Sequence, residues 1–93
     1  MAKLMPEQIE LRLAALHDWT LSADQSALVR DFTFPDFAAA LIFVNRIADL
    51  AEQSNHHPDI DIRYNRVRLS LTSHDSGGIT TRDFNLATKI SAL

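Results

Sequence analysis

Apolar residues recur along this chain at two spacings, and the spacing changes with position. Ile9, Leu13 and Leu16 fall three and four apart, which predicts an amphipathic helix from Pro6 to about His17. Pro6 and Glu7 suit its first turn, because proline there loses no needed N–H and an acid complements the helix dipole. Two runs, Trp19 to Leu21 and Leu28 to Phe34, read as strands joined by the turn-like Ser22-Ala23-Asp24-Gln25. Helical spacing returns at Phe37, Leu41, Val44, Ile47, Ala48 and Ala51, so the longest helix is expected from Pro35 to about Ser54. Its first half, Ala38 to Val44, is apolar all round, a pattern that calls for cover on more than one side. In a small domain another subunit can supply the second cover.

Pro58 cannot continue a helix and biases His57 toward extended backbone. Beyond it the period drops to two. Ile60, Ile62 and Tyr64 alternate with Asp61 and Arg63, and Val67, Leu69 and Leu71 alternate with Arg68 and Ser70. A two-residue turn at Asn65-Arg66 would join them and keep both apolar sets on one sheet face. Gly77-Gly78 breaks the chain, and Thr80-Thr81-Arg82-Asp83 has the form of a capping box that opens a last helix through Ala87 and Ile90. The expected class is α+β in the order α-β-β-α-β-β-α. Two hairpins make a four-stranded antiparallel sheet, with helices packed on one face and water on the other.

Composition narrows the function. Ninety-three residues make one domain, 1–93, that buries roughly 60–65% of its unfolded surface, so oligomerisation is expected. The formal charge is −3, and the basic residues Arg63, Arg66 and Arg68 are spaced apart, which disfavours direct nucleic-acid binding. The chain has no cysteine, so disulfides, thiol chemistry and cysteine-ligated zinc are excluded. The first residues, Met1 to Pro6, lack a signal-peptide core, and no apolar run suits a membrane span. A soluble, cytoplasmic protein is the expectation.

The chemistry concentrates in one region. Three of the four histidines, His56, His57 and His74, follow the long helix closely, with Glu52 one turn before His56. Imidazole has an unperturbed pKa of about 6.5, so histidines that meet in one cleft can give and take protons without a metal or cofactor. The histidine pair sits at a helix exit, in the kind of connection that often carries function.

The full spacing runs Glu52, His56-His57-Pro58, Tyr64, His74, Asp83. It resembles the pterin-4a-carbinolamine dehydratase family at each position. The match extends to Trp19, to Phe32-Thr33-Phe34 and Phe37, and to His74-Asp75-Ser76-Gly77-Gly78-Ile79-Thr80 with Asp83 and Leu86-Ala87. Ser73 stands where many members have threonine, which keeps the hydroxyl. The resemblance implies a hydro-lyase that dehydrates 4a-hydroxytetrahydropterin to quinonoid dihydropterin in tetrahydropterin recycling, with no cofactor and no metal. It implies His56, His57 and His74 as the catalytic histidines, with His56 and His74 as acid and base and His57 mainly holding the pterin. Glu52 and Asp83 would support the imidazoles. Trp19, Pro58, Ser73 and Asp75 join His56, His57 and His74 as substrate contacts, with Trp19 at the pocket edge. It also implies a homodimer or homotetramer.

Simpler readings stand beside these. A single histidine at a helix end is usually a dipole partner or a surface residue; His17, outside the pattern, is read that way. Asp83 can serve as the capping-box acid, as a substrate group, or as both. Glu52 can be a solvated helix residue, and Trp19 can be core. Zinc could in principle bind His56, His57, His74 and Glu52, but adjacent histidines rarely point at one ion. The rival of another class is a non-catalytic module on the same fold, a transcription cofactor or an assembly factor for Rubisco, with a protein partner.

Overall fold

A computed structural model describes residues 2–93. Helix α1 spans Pro6–Ala14, with Gln8 reaching back to the Met5 amide at 2.8 Å. It stops before His17, three residues short of the sequence expectation. Strands β1 (Thr20–Leu21) and β2 (Leu28–Thr33) follow. Helix α2 spans Phe37–Ser54 and is capped by Asp36, whose side chain accepts from the Ala39 amide at 2.8 Å. Strands β3 (Asp59–Arg63) and β4 (Arg66–Leu71), a 3-10 turn His74–Ser76 and helix α3 (Thr81–Ser91) complete the chain.

The sheet is antiparallel throughout, in the order β1-β2-β4-β3. β2 and β4 form its centre, pairing Leu28 with Leu71 and Thr33 with Arg66. Leu28, Val67, Leu69 and Leu71 face the helices, where Ile47 of α2 and Phe84, Leu86, Ala87 and Ile90 of α3 meet them in one buried cluster. Phe32, Phe34 and Phe43 close one side of it, with ring centroids 4.5 to 6.4 Å apart. The other sheet face is polar. There Arg68 forks onto Asp31 at 2.7 and 3.0 Å and holds that carboxyl below its ordinary value.

Two sequence expectations change. The β3–β4 turn is Tyr64-Asn65, not Asn65-Arg66, and Arg66 is the first residue of β4, opposite Arg63. Tyr64 takes the left-handed φ of 52° there, a region where asparagine or glycine is more usual. The reason lies in Asn65, whose backbone and side chain are both used elsewhere. Its carbonyl accepts from the Phe34 amide at 2.9 Å, and its Nδ2 donates to the Phe34 carbonyl at 2.8 Å. Second, Ile60 and Ile62 share the apolar sheet face, in register with Leu69 and Val67, yet are 38% and 36% exposed. β3 is an edge strand, and the chain's own helices leave it uncovered.

Candidate active site

Three segments converge at the N-terminus of α3. The first is the exit of α2, where Asn55 adopts the left-handed φ of 49° that ends many helices. The His56 amide then donates to the Ala51 carbonyl at 3.1 Å, which turns His56 inward and leaves His57 at the surface. The second is the end of β4, where Ser73 and Gly78 bridge across the loop that carries His74. Gly77, at φ 76°, supplies the left-handed residue that closes this loop. The third is the capping box of Thr80 and Asp83.

Asp83 joins all three segments. It is fully buried, and its Oδ1 lies 2.5 Å from His56 Nε2. Its Oδ2 accepts from the Ser73 hydroxyl at 2.9 Å and from the Thr80 amide at 2.8 Å. Ser73 and Thr80 are buried as well, and their hydroxyls lie 2.9 Å apart. A buried carboxylate that accepts three donors is well satisfied, whereas one without them is expensive to bury. The cap and the histidine contact are thus properties of one side chain.

His57 pairs with Glu52 at the surface, both residues being exposed. The helix face that carries Glu52 therefore serves His57, not the inward-turned His56. His74 begins the 3-10 turn with an exposed ring, one residue after Ser73. Ser73 and His56 share the Asp83 carboxylate, so the residue before His74 and the His56 ring are held by the two oxygens of one group. Asp75 binds Arg82 at 2.6 Å, and that ion pair holds the Asp75 carboxyl below its ordinary value while tying the His74 turn to α3. Pro58 is half-buried beside the pair.

Other expected contacts lie apart. Trp19 is a buried core residue, and its Nε1 donates to Ser91 Oγ at 3.0 Å. Asp83 and Ser91 are eight residues apart on α3, about 12 Å of helix. The structure therefore places Trp19 at the opposite end of α3 from the histidines. Ser73 points at Asp83 and Thr80 from a buried position, behind His56 rather than out to solvent. His17 is exposed. Among the described residues no three His, Cys, Asp or Glu side chains form a group that could hold a metal ion. A groove of about 500 Å³ on the polar sheet face, lined by Asp31, Asp61, Arg66 and Arg68, contains no histidine. Thr80 escaped the sequence reading as a site residue; the capping-box spacing was the signal that could have found it.

A family profile described as "Pterin 4 alpha carbinolamine dehydratase" matches residues 2–93. The chain belongs to the pterin carbinolamine dehydratase family. A protein of Acidobacterium capsulatum named "Putative pterin-4-alpha-carbinolamine dehydratase" is 56% identical over 93 residues, covering 100% of this chain and 99% of that one. One of Chloroflexus aggregans with the same name is 50% identical, covering 100% and 98%. A crystal structure from Brucella melitensis, titled a transcriptional coactivator/pterin dehydratase, superposes with a TM-score of 0.91 at 34% identity and covers 97% of this chain and 96% of that one. A pterin dehydratase-like protein described as a RuBisCO assembly factor of the alpha-carboxysome shares the fold alone, with a TM-score of 0.68 at 22% identity over 82% of this chain and 88% of that one. Among the described residues of this family member, no helix is long and apolar enough to cross a membrane.

Proposed function

We propose that this protein dehydrates a 4a-hydroxytetrahydropterin to the quinonoid dihydropterin by histidine acid–base catalysis. The observation that carries the proposal is the buried bond from His56 to Asp83, whose other oxygen anchors the residue before His74. The reaction removes water from adjacent atoms. The proton leaves N5, the C4a–O bond breaks, hydroxide departs as water after protonation, and an N5–C4a double bond forms. One imidazole supplies the proton to the leaving oxygen and a second takes the proton from N5. Each positioned acid or base is worth typically 10²–10⁴-fold. His57, exposed and paired with Glu52, is assigned to holding the pterin. No redox partner is required, since nothing is oxidised.

We place this activity in the cytoplasm, in the recycling of tetrahydropterin, with the protein acting as a homodimer or homotetramer. The test is an assay in which the carbinolamine is generated in situ and its decay followed. Faster decay than in buffer, without added metal or nucleotide, supports the reading; no acceleration by folded protein overturns it.

A second reading, a protein-docking module, draws on the exposed apolar residues of α2, β3 and the β3–β4 turn. Phe37, Ile42, Ile60, Ile62 and Tyr64 are all exposed. A folded, inactive protein that binds a partner through this face would favour it.

A further inference from the structure

The hydrogens of the buried network can be assigned from what each group is able to donate. The Arg82 amide can only donate, and it lies 3.2 Å from Thr80 Oγ1, so that oxygen accepts there and keeps its own proton for another partner. The Ser73 hydroxyl donates to Asp83 Oδ2 at 2.9 Å. Its proton is therefore committed, and the 2.9 Å contact between the hydroxyls of Ser73 and Thr80 must run from Thr80 to Ser73. The Thr80 amide also donates to Oδ2, at 2.8 Å. With Oδ2 filled by two donors, Oδ1 is left for His56, and a carboxylate can only accept from Nε2. A neutral imidazole carries one ring proton, so a proton on Nε2 leaves Nδ1 with its lone pair free. Every residue of the chain Thr80, Ser73, Asp83, His56 is buried, which leaves little room for water to replace a lost hydroxyl.

We propose that Ser73 and Thr80 are positioning residues that act through Asp83 to fix His56 as the Nε2–H tautomer, so that Nδ1 is the atom that exchanges protons with the substrate. Ser73 then acts from behind the imidazole and makes no contact with the pterin. The role of Nδ1 in turnover rests on the dehydratase reading; the tautomer itself does not. The proposal also explains why serine or threonine would serve equally at position 73, since only a hydroxyl is required.

The experiment combines imidazole nitrogen NMR with steady-state kinetics on the folded full chain. In the wild type, the neutral His56 ring shows a protonated Nε2 and a bare Nδ1. In Ser73→Ala and Thr80→Val the carboxylate loses the hydroxyl support that aims Oδ1 at Nε2, the contact breaks in part of the population, and the freed ring carries its proton on either nitrogen; in Ser73→Thr and Thr80→Ser the wild-type signature returns. Ser73→Ala lowers kcat at least about tenfold while KM stays within about twofold, the signature of a misplaced catalytic group; Ser73→Thr recovers most of the loss. If Thr80→Val does not fold, Ser73→Ala against Ser73→Thr carries the test alone. A protonated Nδ1 in the wild type, or a tautomer unchanged in Ser73→Ala, overturns the proposal. A raised KM with unchanged kcat in Ser73→Ala also overturns it, since Ser73 would then touch the substrate. An inactive wild type that keeps the Nε2–H signature removes the dehydratase reading and leaves the tautomer assignment in place.

Discussion

Glu52 binds the imidazole of His57, and its sequence neighbour His56 turns away to Asp83. Adjacent histidines thus have different acidic partners, one at the surface and one in the interior. Separate roles follow from that difference.

Glu52→Ala is expected to act on binding. The pair is exposed on both sides, so its loss should change stability by no more than about 1 kcal/mol. It should raise KM for the pterin several-fold with a smaller effect on kcat, and His57→Ala should do the same. Urea unfolding beside steady-state kinetics checks both. A fall in kcat alone would contradict the assignment.

His56→Ala and His74→Ala should each lower turnover at least about tenfold, because on the proposed mechanism each removes a proton-transfer group. The double variant should lose less than the product of the two if both serve one concerted step. His17→Ala, far from the site in sequence and exposed, is the internal control and should change little.

Asp83→Asn should weaken both fold and activity. It leaves donors around Oδ2 without a charged acceptor and puts an amide against His56. Leaving a buried donor without its partner typically costs about 1–3 kcal/mol, and the isosteric amide should sit at the lower end. Denaturant midpoints measure the first effect and kcat the second. Asp83→Asn with wild-type stability would mean that the cap does not depend on the carboxylate.

Light scattering at micromolar concentration should show a homodimer or homotetramer. Ile42 is 60% exposed on α2, and the edge strand β3 presents Ile60 and Ile62. Ile42→Asp should shift the distribution to smaller species with helix content retained by circular dichroism. A wild-type monomer at that concentration would contradict the expectation.

The Asp75–Arg82 pair should give the His74 turn an acid transition. Arg82 lowers the folded pKa of Asp75 from the free value of 3.8. The pair's contribution is therefore complete above that value and is lost as pH falls through the lowered folded pKa. Amide chemical shifts of Ser76 and Gly77 should move in that acid range, and Asp75→Asn should abolish the movement.

Much of this was legible in the sequence because local chemistry decided it. Asp36 and Thr80 cap helices where a polar residue precedes an apolar period, and Pro58 marks the end of α2. The hairpin turn was displaced by one residue because Asn65 is recruited by Phe34, just past the end of β2, a contact that no local rule contains. Trp19 shared the family's spacing with the histidines, but spacing along a chain does not say which end of α3 a residue meets. The same gap explains Glu52: helix geometry allows it to reach either histidine, and the left-handed Asn55 decides which. The sequence reading put Ser73 on the substrate and Thr80 at a helix cap; only the fold brings both to one carboxylate.

The order β1-β2-β4-β3 has a consequence for how the molecule comes into being. Its central pair joins segments from opposite sides of α2, so α2 and β3 must be looped out before the sheet has a middle. Such non-local pairing is slow relative to helix and hairpin formation. Ser73 lies two residues beyond β4, and its hydroxyl meets Asp83 in the assembled fold. During refolding, the secondary-structure signal should rise first, and the His56 ring should gain its acidic partner in the last kinetic phase. Catalytic competence would then be an end-point marker for correct sheet assembly, more discriminating than helix content or compactness.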